Sequence, residues 1–390
     1  MIMLGLLISL LTLLVLIPWW MWIAECLLGL PPLRESRPGK TAYGLVIVPA
    51  HDEALGVTEM LRALRTQLRD GDRVLLVADN CQDQTAELAR QEGVDVVVRN
   101  DALRRGKGYA LEYGIRHASS QGWKPDVLVI LDADCTIQGL AELIDETAWR
   151  GQPVQAAYTL SVEPQANARQ RVSAFAFRVK NVVRLRGLRR LGGPALLTGS
   201  GMAFPWQLAQ AIDWGGGEIV EDLATGLKLA CGGHLPSYTE LAWVESPAPT
   251  SEQGVAQQRT RWEHGYLAQM QRGMPQLLRA TVARRSVACA WAFLDLAIPP
   301  LSLFIVLLFG WLLLMSGVAF WTGQLGPWWW TLATGILATL TLGGCWWCEG
   351  RRLLPPRSLL AIPGYILRKL PLYGGFLRRR QTTWERTTRA

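Results

Sequence analysis

Hydrophobic positions fall into two patterns along this chain. One is the long uncharged run. Residues 1–24, "MIMLGLLISLLTLLVLIPWWMWIA", carry no charged side chain and are long enough to cross a bilayer as a helix. A secretory signal would want a basic start and a small-residue cleavage site. This run starts uncharged and ends in "PWWMW", tryptophans that suit a membrane interface. A second uncharged run, Leu296 to Cys348, is broken by "TGQLGP" into spans of about Leu296–Phe320 and Trp328–Cys348. Arg34, Arg37 and Lys40 follow the first span, Arg284 and Arg285 precede the second, and Arg351 and Arg352 follow the third. Flanking basic residues stay inside. The expectation is a multi-pass protein of the cytoplasmic (inner) membrane, with residues 35–285 and the tail after residue 350 in the cytosol.

The other pattern is alternation of short β-branched runs with helical spacing. "YGLVIVPA", "DRVLLVADN", "VDVVVRN" and "DVLVILDADC" read as strands, and "LGVTEMLRALRTQL", "DQTAELARQEG" and "GKGYALEYGIRHASS" as the helices between them. That order predicts an α/β domain with a mainly parallel sheet and helices on both faces. Ligands of such sheets bind beyond the C-terminal strand ends. His51, Asp52, Glu53, Asp79, Asn80, Asp132 and Asp134 all fall there.

Composition supports this division. Half of the 390 residues are hydrophobic, 18 are tryptophan, and the formal net charge is +8. Cys81, Cys135 and Cys231 stand singly in the expected cytosolic part, where disulfides are not expected. Cys345 and Cys348, in "CWWC" at the end of a span, read as a lipid-facing or packed pair rather than a redox or metal site. No histidine is spaced with cysteines for zinc.

Asp132 and Asp134 are the chemical puzzle. Either alone could cap a helix. Two like charges on one side of a strand end, with more acids at neighbouring ends, repel unless a cation joins them. Carboxylate oxygens suit Mg²⁺ or Mn²⁺, which bridge protein to a ligand's phosphates. The chain has neither GxxxxGK[ST] nor a GxGxxG after the first strand, which argues against P-loop and dinucleotide chemistry.

"VIVPAHDEA", "VADNCQDQT", "RRGKGYAL", "LDADC", "TGSGMAF", "VEDLATG" and "QRTRW" occur in an order and spacing that resemble family 2 glycosyltransferases. The resemblance is to the membrane-bound branch with cellulose, hyaluronan and poly-N-acetylglucosamine synthases. It covers about residues 42–270 and extends loosely to the ending "WERTTR". It implies a GT-A fold, a Rossmann-like mixed sheet, joined to α-helical transmembrane segments. It further implies metal-dependent, inverting hexosyl transfer from a nucleotide-diphospho-sugar, a UDP-sugar by expectation.

The resemblance also assigns roles. Pro49, His51, Glu53, Asp79 and Lys107 match donor-binding positions. Asp134 matches the metal ligand, and Asp132 the nucleotide or metal shell. Asp222 matches the catalytic base, with Glu221 beside it, and an acidic pair at a helix start is also favoured by the helix dipole. Gly199, Ser200 and Gly201 match an acceptor-side turn. Gln258, Arg261 and Trp262 match QxxRW, where arginine suits a donor phosphate and tryptophan and glutamine suit an acceptor sugar. Asp52 stands where asparagine is commoner, which leaves its role open. Asp83 reads equally as a donor contact and as a helix cap.

The domains expected are a span at 1–25, a linker at 26–41, the GT-A domain at 42–250, and QxxRW and interfacial helices at 251–285. The second and third spans (286–350) and a basic amphipathic tail (351–390) complete them. "SAFAFRVKNVVRLRGLRRLG" reads as a helix on anionic lipid, a solvated basic face, or a receiver of a lipid phosphate. Expected partners are a nucleotide-sugar donor, a lipid-linked or glycan acceptor and membrane lipid. A second copy or a polysaccharide-assembly partner is a further expectation, and nucleic acid is not one. The expected function is sugar addition in cell-surface exopolysaccharide biosynthesis. A processive synthase that extrudes its polymer is the rival, and an inactive scaffold subunit the rival of another class.

Overall fold

The computed structural model describes residues 2–37, 39, 41–215, 220–248 and 252–378. The chain divides into two compact units.

One unit takes Leu33–Ser161 and Pro194–Gly265 and is built on a mixed eight-stranded sheet. The strands are β1 (Gly44–Ala50), β2 (Arg73–Asp79), β3 (Asp95–Arg99), β4 (Val127–Ile130), β5 (Thr136–Gln138), β6 (Val154–Ser161), β7 (Met202–Pro205) and β8 (Ser237–Pro247). Their spatial order is β3-β2-β1-β4-β7-β6-β8-β5. β1 to β4 pair in parallel, and this half matches the strands expected from the sequence. β7 then runs antiparallel to both β4 and β6, and β5 antiparallel to β8. The sheet is therefore mixed beyond residue 135.

β1, β2 and β4 are buried on both faces, which is why they read as unbroken apolar runs, while β3 is a partly exposed edge. Helix Lys107–Ser120 packs on them through Ala110, Leu111, Ile115 and Ala118, at helical spacing. At Gly114 a Cβ would come within 2.8 Å of Val77 Cγ2, so the missing side chain lets this helix lie close.

The other unit takes Met1–Pro32, Val162–Gly193 and Tyr266–Gln381. Its helices include three long and apolar enough to cross a membrane: Met3–Gly29, Leu301–Thr322 and Gly326–Gly350. The second begins later than expected. Asp295 and Leu296 end a separate helix, Val287–Leu296, and Pro299 and Pro300 precede the span. Trp19 stacks on Phe304 at 3.6 Å, and Trp20 Nε1 donates to Thr334 Oγ1 at 3.2 Å. Cys345 is buried and Cys348 exposed. Helix Ile362–Arg378 carries the basic tail. The ending "WERTTR" lies outside the described residues.

The basic stretch departs from its sequence reading. It forms helix Ala168–Arg178, a π-helical piece Val179–Arg184 and helix Leu185–Arg190. Arg184 and Arg186 are buried. Arg184 Nε donates to Glu25 Oε2 at 2.6 Å, and Arg184 also pairs with Asp295. Arg178 and Arg186 share Glu349, at 2.7 and 2.5 Å. Arg186 reaches the carbonyl of Gly29 at 3.3 Å, and Arg190 those of Leu28, Pro31 and Pro32. The Leu28 and Gly29 carbonyls end the first apolar helix and have no partner within it, and Pro31 and Pro32 follow just after it. Arg184 and Arg186 are internal clamps rather than lipid-facing or solvated, while Lys180 and Arg190 are exposed.

Candidate active site

Each parallel strand delivers its site residues where it ends. After β1, His51 Nδ1–H donates to the Asp79 carbonyl at 2.7 Å, which fixes the ring's tautomer. Asp52 sits at φ 51°, and its carboxylate accepts from Gln82 N at 2.7 Å. That gives the acid at position 52 a role asparagine's oxygen could also fill, tying the two loops together. Asp83 accepts from Ala54 N and Thr85 N, both at 3.0 Å, beside the start of helix Thr85–Gln91. It stands one residue before the cap position, Gln84, and its contacts tie the two loops together.

At the end of β2, Asp79 Oδ1 accepts from Arg99 at 2.6 Å and from Asn80 Nδ2 at 3.0 Å. Burial raises the Asp79 carboxyl above its usual range despite Arg99. Sequence reasoning passed over Arg99. Its signal was faint: an arginine ending a β-branched run, one strand over from Asp79, with which it is in register.

Beyond β4, Ala133 is buried, and Asp132 and Asp134 on either side of it line a pocket. Asp132 Oδ1 lies 2.5 Å from Lys107 Nζ, which also donates to the Gly199 carbonyl at 2.6 Å. Burial opposes the Lys107 ammonium, but Asp132, Glu221 and Asp222 together hold its pKa above the usual value. Gly199 has φ 96°, and a Cβ there would come within 3.1 Å of Asp222 Oδ2, so glycine suits the close approach.

Ser200 and Gly201 are not among the residues that line this pocket. Ser200 is fully buried, and its hydroxyl accepts from Asp132 N at 3.1 Å. Gly201 donates to the Ile130 carbonyl and accepts from Ala156 N, both at 2.9 Å. Both brace the end of β4, which leaves Gly199 as the member of the turn that lines the pocket.

Glu221 and Asp222 form the first turn of helix Glu221–Gly232. There the helix dipole favours acids. Burial, then Asp222, pushes Glu221 up to about 7, with Lys107 pulling the other way. Gln258, Arg261 and Trp262 lie on helix Glu252–Arg284, at i, i+3 and i+4, and so share one face that lines the same pocket. Pro49, His51, Glu53, Asp79, Lys107, Asp132, Asp134, Gly199, Glu221 and Asp222 line it too. Residues more than 200 positions apart thus meet around one cavity.

The site fits a hard divalent cation. Ligand atoms of Asp132, Asp134 and Cys135 lie within 4.8 Å of one another. Burial and the two aspartates push the Cys135 thiol well up, so the carboxylate oxygens are the ligands of the right type.

The family model for "Glycosyltransferase like family 2" matches residues 42–265. The chain belongs to that family. Among solved structures, the glycosyltransferase is similar to a mannosyltransferase from Pyrobaculum calidifontis in complex with GDP-Man and Mn²⁺. That likeness is 18% identical, has a TM-score of 0.55, and covers 97% of this chain and 99% of the other. It establishes the GT-A fold. Glucosyl-3-phosphoglycerate synthase from Mycobacterium tuberculosis, in complex with Mn²⁺, UDP and phosphoglyceric acid, matches more loosely. It has TM-score 0.36 and 18% identity, over 57% of this chain and 78% of that one. Among curated proteins, an uncharacterized protein of Methanocaldococcus jannaschii is 37% identical over 90 residues, 23% of this chain. The match spans about a third of that relative, 34% of its length.

Proposed function

We propose that this glycosyltransferase moves a hexose from a nucleotide-diphospho-sugar to a membrane-associated acceptor during cell-surface polysaccharide assembly. The observation that carries the reading is the single pocket that gathers Asp132 and Asp134, Glu221 and Asp222, and Arg261 and Trp262 beside Asp79. The nucleotide sugar and Mn²⁺ bound by the Pyrobaculum structure agree with it.

Asp134, with Asp132, would hold Mg²⁺ or Mn²⁺, which offsets charge on a departing diphosphate. Lys107 and Arg261 bring fixed positive charge to the same pocket and suit the diphosphate oxygens. Asp222 takes the proton from the acceptor hydroxyl on the face opposite the leaving group, which inverts the anomeric carbon. Glu221 stands beside it in the same pocket lining. Trp262 offers a ring face to the apolar side of a sugar, and Gln258 a hydrogen bond.

The three candidate spans support a protein embedded in the membrane, with the sheet unit in the cytosol by the flanking charges. Three packed helices enclose little space, which favours transfer of one sugar to a lipid-linked acceptor over extrusion of a polymer. The deciding experiment is a donor screen on the purified full chain, reading nucleotide release with and without lipid-phosphate acceptors. Release from one nucleotide sugar that rises with a lipid acceptor, and a product longer by one sugar, is expected. No release from any donor with either metal would refute the activity. A ladder of long products from enzyme and donor alone would favour a processive synthase.

A further inference from the structure

The wall of the pocket at the end of β2 is tightly determined. Asp79 and Arg99 are each 7% exposed and end neighbouring strands in register. Arg99 gives one guanidinium nitrogen to Asp79 Oδ1 at 2.6 Å and the other to Asp101 Oδ2 at 3.1 Å and the Arg104 carbonyl at 2.7 Å. Asn80 Nδ2 takes the second site on Asp79 Oδ1 at 3.0 Å, while Asn80 Oδ1 accepts from Asp101 N at 2.8 Å. Asn80 N in turn donates to the Arg99 carbonyl at 2.7 Å. The guanidinium also lies 5.7 Å from the centre of the Tyr109 ring. The carboxylate therefore cannot turn without breaking several bonds at once. Its Oδ1 is consumed, and its Oδ2 makes no hydrogen bond among the described residues. Asp79 itself lines the pocket.

A buried arginine–carboxylate pair commonly serves the fold alone. Two observations set this one apart. It sits at the C-terminal strand end, where ligands of such sheets bind, and one oxygen of an otherwise saturated acid is left to the cavity.

We infer that Arg99 is the positioning residue that sets nucleobase specificity: by occupying Oδ1 of Asp79 it leaves one acceptor oxygen, which suits uracil and rejects guanine. Uracil presents a single imide N–H between two carbonyls. Guanine presents two adjacent N–H groups, which need both oxygens of a carboxylate. Against this Asp79, one of guanine's donors would be buried opposite an oxygen already filled. A site built around hydrogen bonds discriminates most strongly against a partner left unpaired. The inference rests on the proposed donor function and narrows the donor to a uridine diphosphate sugar.

The test is calorimetric binding of UDP and of GDP to the full chain in detergent with Mg²⁺. Arg99→Met and Arg99→Lys are measured beside the wild type. Wild type is expected to bind UDP at least about tenfold more tightly than GDP, the scale of one unpaired buried donor. Arg99→Met frees Oδ1 and should bring the two affinities to within about threefold, while Arg99→Lys, which restores one charged donor, recovers part of the preference. An arginine that only supports the fold would weaken both nucleotides by the same factor. An unchanged UDP-to-GDP ratio in Arg99→Met therefore overturns the inference, as does a wild type that prefers GDP or treats both alike. The wild-type ratio and the lysine variant keep the test decisive if Arg99→Met fails to fold. Binding of neither nucleotide would refute the donor reading itself, whereas binding with the wrong ratio refutes only the role of Arg99.

Discussion

Glu221→Gln should make the protein more stable, and only at higher pH. In the fold the Glu221 carboxyl is pushed up to about 7, by burial first and by Asp222 second, from an ordinary value of 4.5. Below pH 4.5 the group is protonated in both folded and unfolded chains and is neutral to stability. Between 4.5 and 7 the unfolded chain gives up the proton while the fold retains it, so stability falls as pH rises. Above 7 the fold carries a carboxylate in a place that disfavours it, and the whole penalty is present. The difference corresponds to about 3 kcal/mol, reduced by partial exposure in an open pocket to about 1–3 kcal/mol.

Glutamine has the same shape and no charge, so it removes the penalty and leaves the packing. Thermal unfolding of the detergent-purified protein, followed by tryptophan fluorescence without metal or nucleotide, reads the effect. The variant should melt within about a degree of wild type near pH 4.5 and several degrees higher at pH 8. An equal shift at both pH values, or a variant less stable at pH 8, would show that the pair is not strained as described. The penalty makes sense only beside a base. Perturbed acids of this kind gather where chemistry is done.

Three other outcomes follow from named contacts. Asp222→Asn should bind nucleotide about as wild type does while turnover falls by roughly 10²–10⁴; Asp134→Asn, like EDTA on the wild type, should lose metal-dependent binding, and full activity in EDTA would sink the metal assignment. Arg184→Met leaves Glu25 and Asp295 without the cation between them, which should cost about 3–5 kcal/mol and show as lost yield of monodisperse protein; wild-type yield and melting would contradict the clamp. Gly187→Ala puts a Cβ 1.9 Å from the Glu25 carbonyl and should lower the melting temperature sharply, whereas Gly310→Ala meets nothing within 4 Å and should leave it unchanged.

The legible part of the fold was the half whose signals are local. β1, β2 and β4 are buried on both faces and β3 is a partly exposed edge, yet each appears as a β-branched run between turn residues, and their parallel pairing follows from the helices between them. β5, β7 and β8 gave no such signal. β5 is three residues long, β7 four, and β8 reads "SYTELAWVESP", in which Glu240 and Glu245 interrupt the apolar positions. Their identity as strands comes from partners far away in the chain, which no window contains. The site divides in the same way. Acids at strand ends announce themselves because nothing apolar explains them. Ser200 matched an acceptor-side turn, yet it is fully buried and its hydroxyl accepts from Asp132 N.

The basic stretch shows the opposite failure, and its cause is physical. Between Arg169 and Arg190 the sequence shows positive charge with no acid nearby, the pattern of a helix on anionic lipid. The neutralising groups exist but lie far away in the chain: Glu25 is 159 residues before Arg184, Asp295 is 111 after it, and Glu349 is 171 after Arg178. Each of these acids stands at the edge of an apolar run, where a sequence reader sees only the limit of a span. An acid at that edge is expensive unless a cation meets it. The arginines meet all three, and with their spare donors they close the last carbonyls of the first apolar helix. Charge imbalance within a window is therefore weak evidence for a lipid surface when isolated acids mark the ends of neighbouring spans. The stronger inference from such a pair of features is that they are each other's partners.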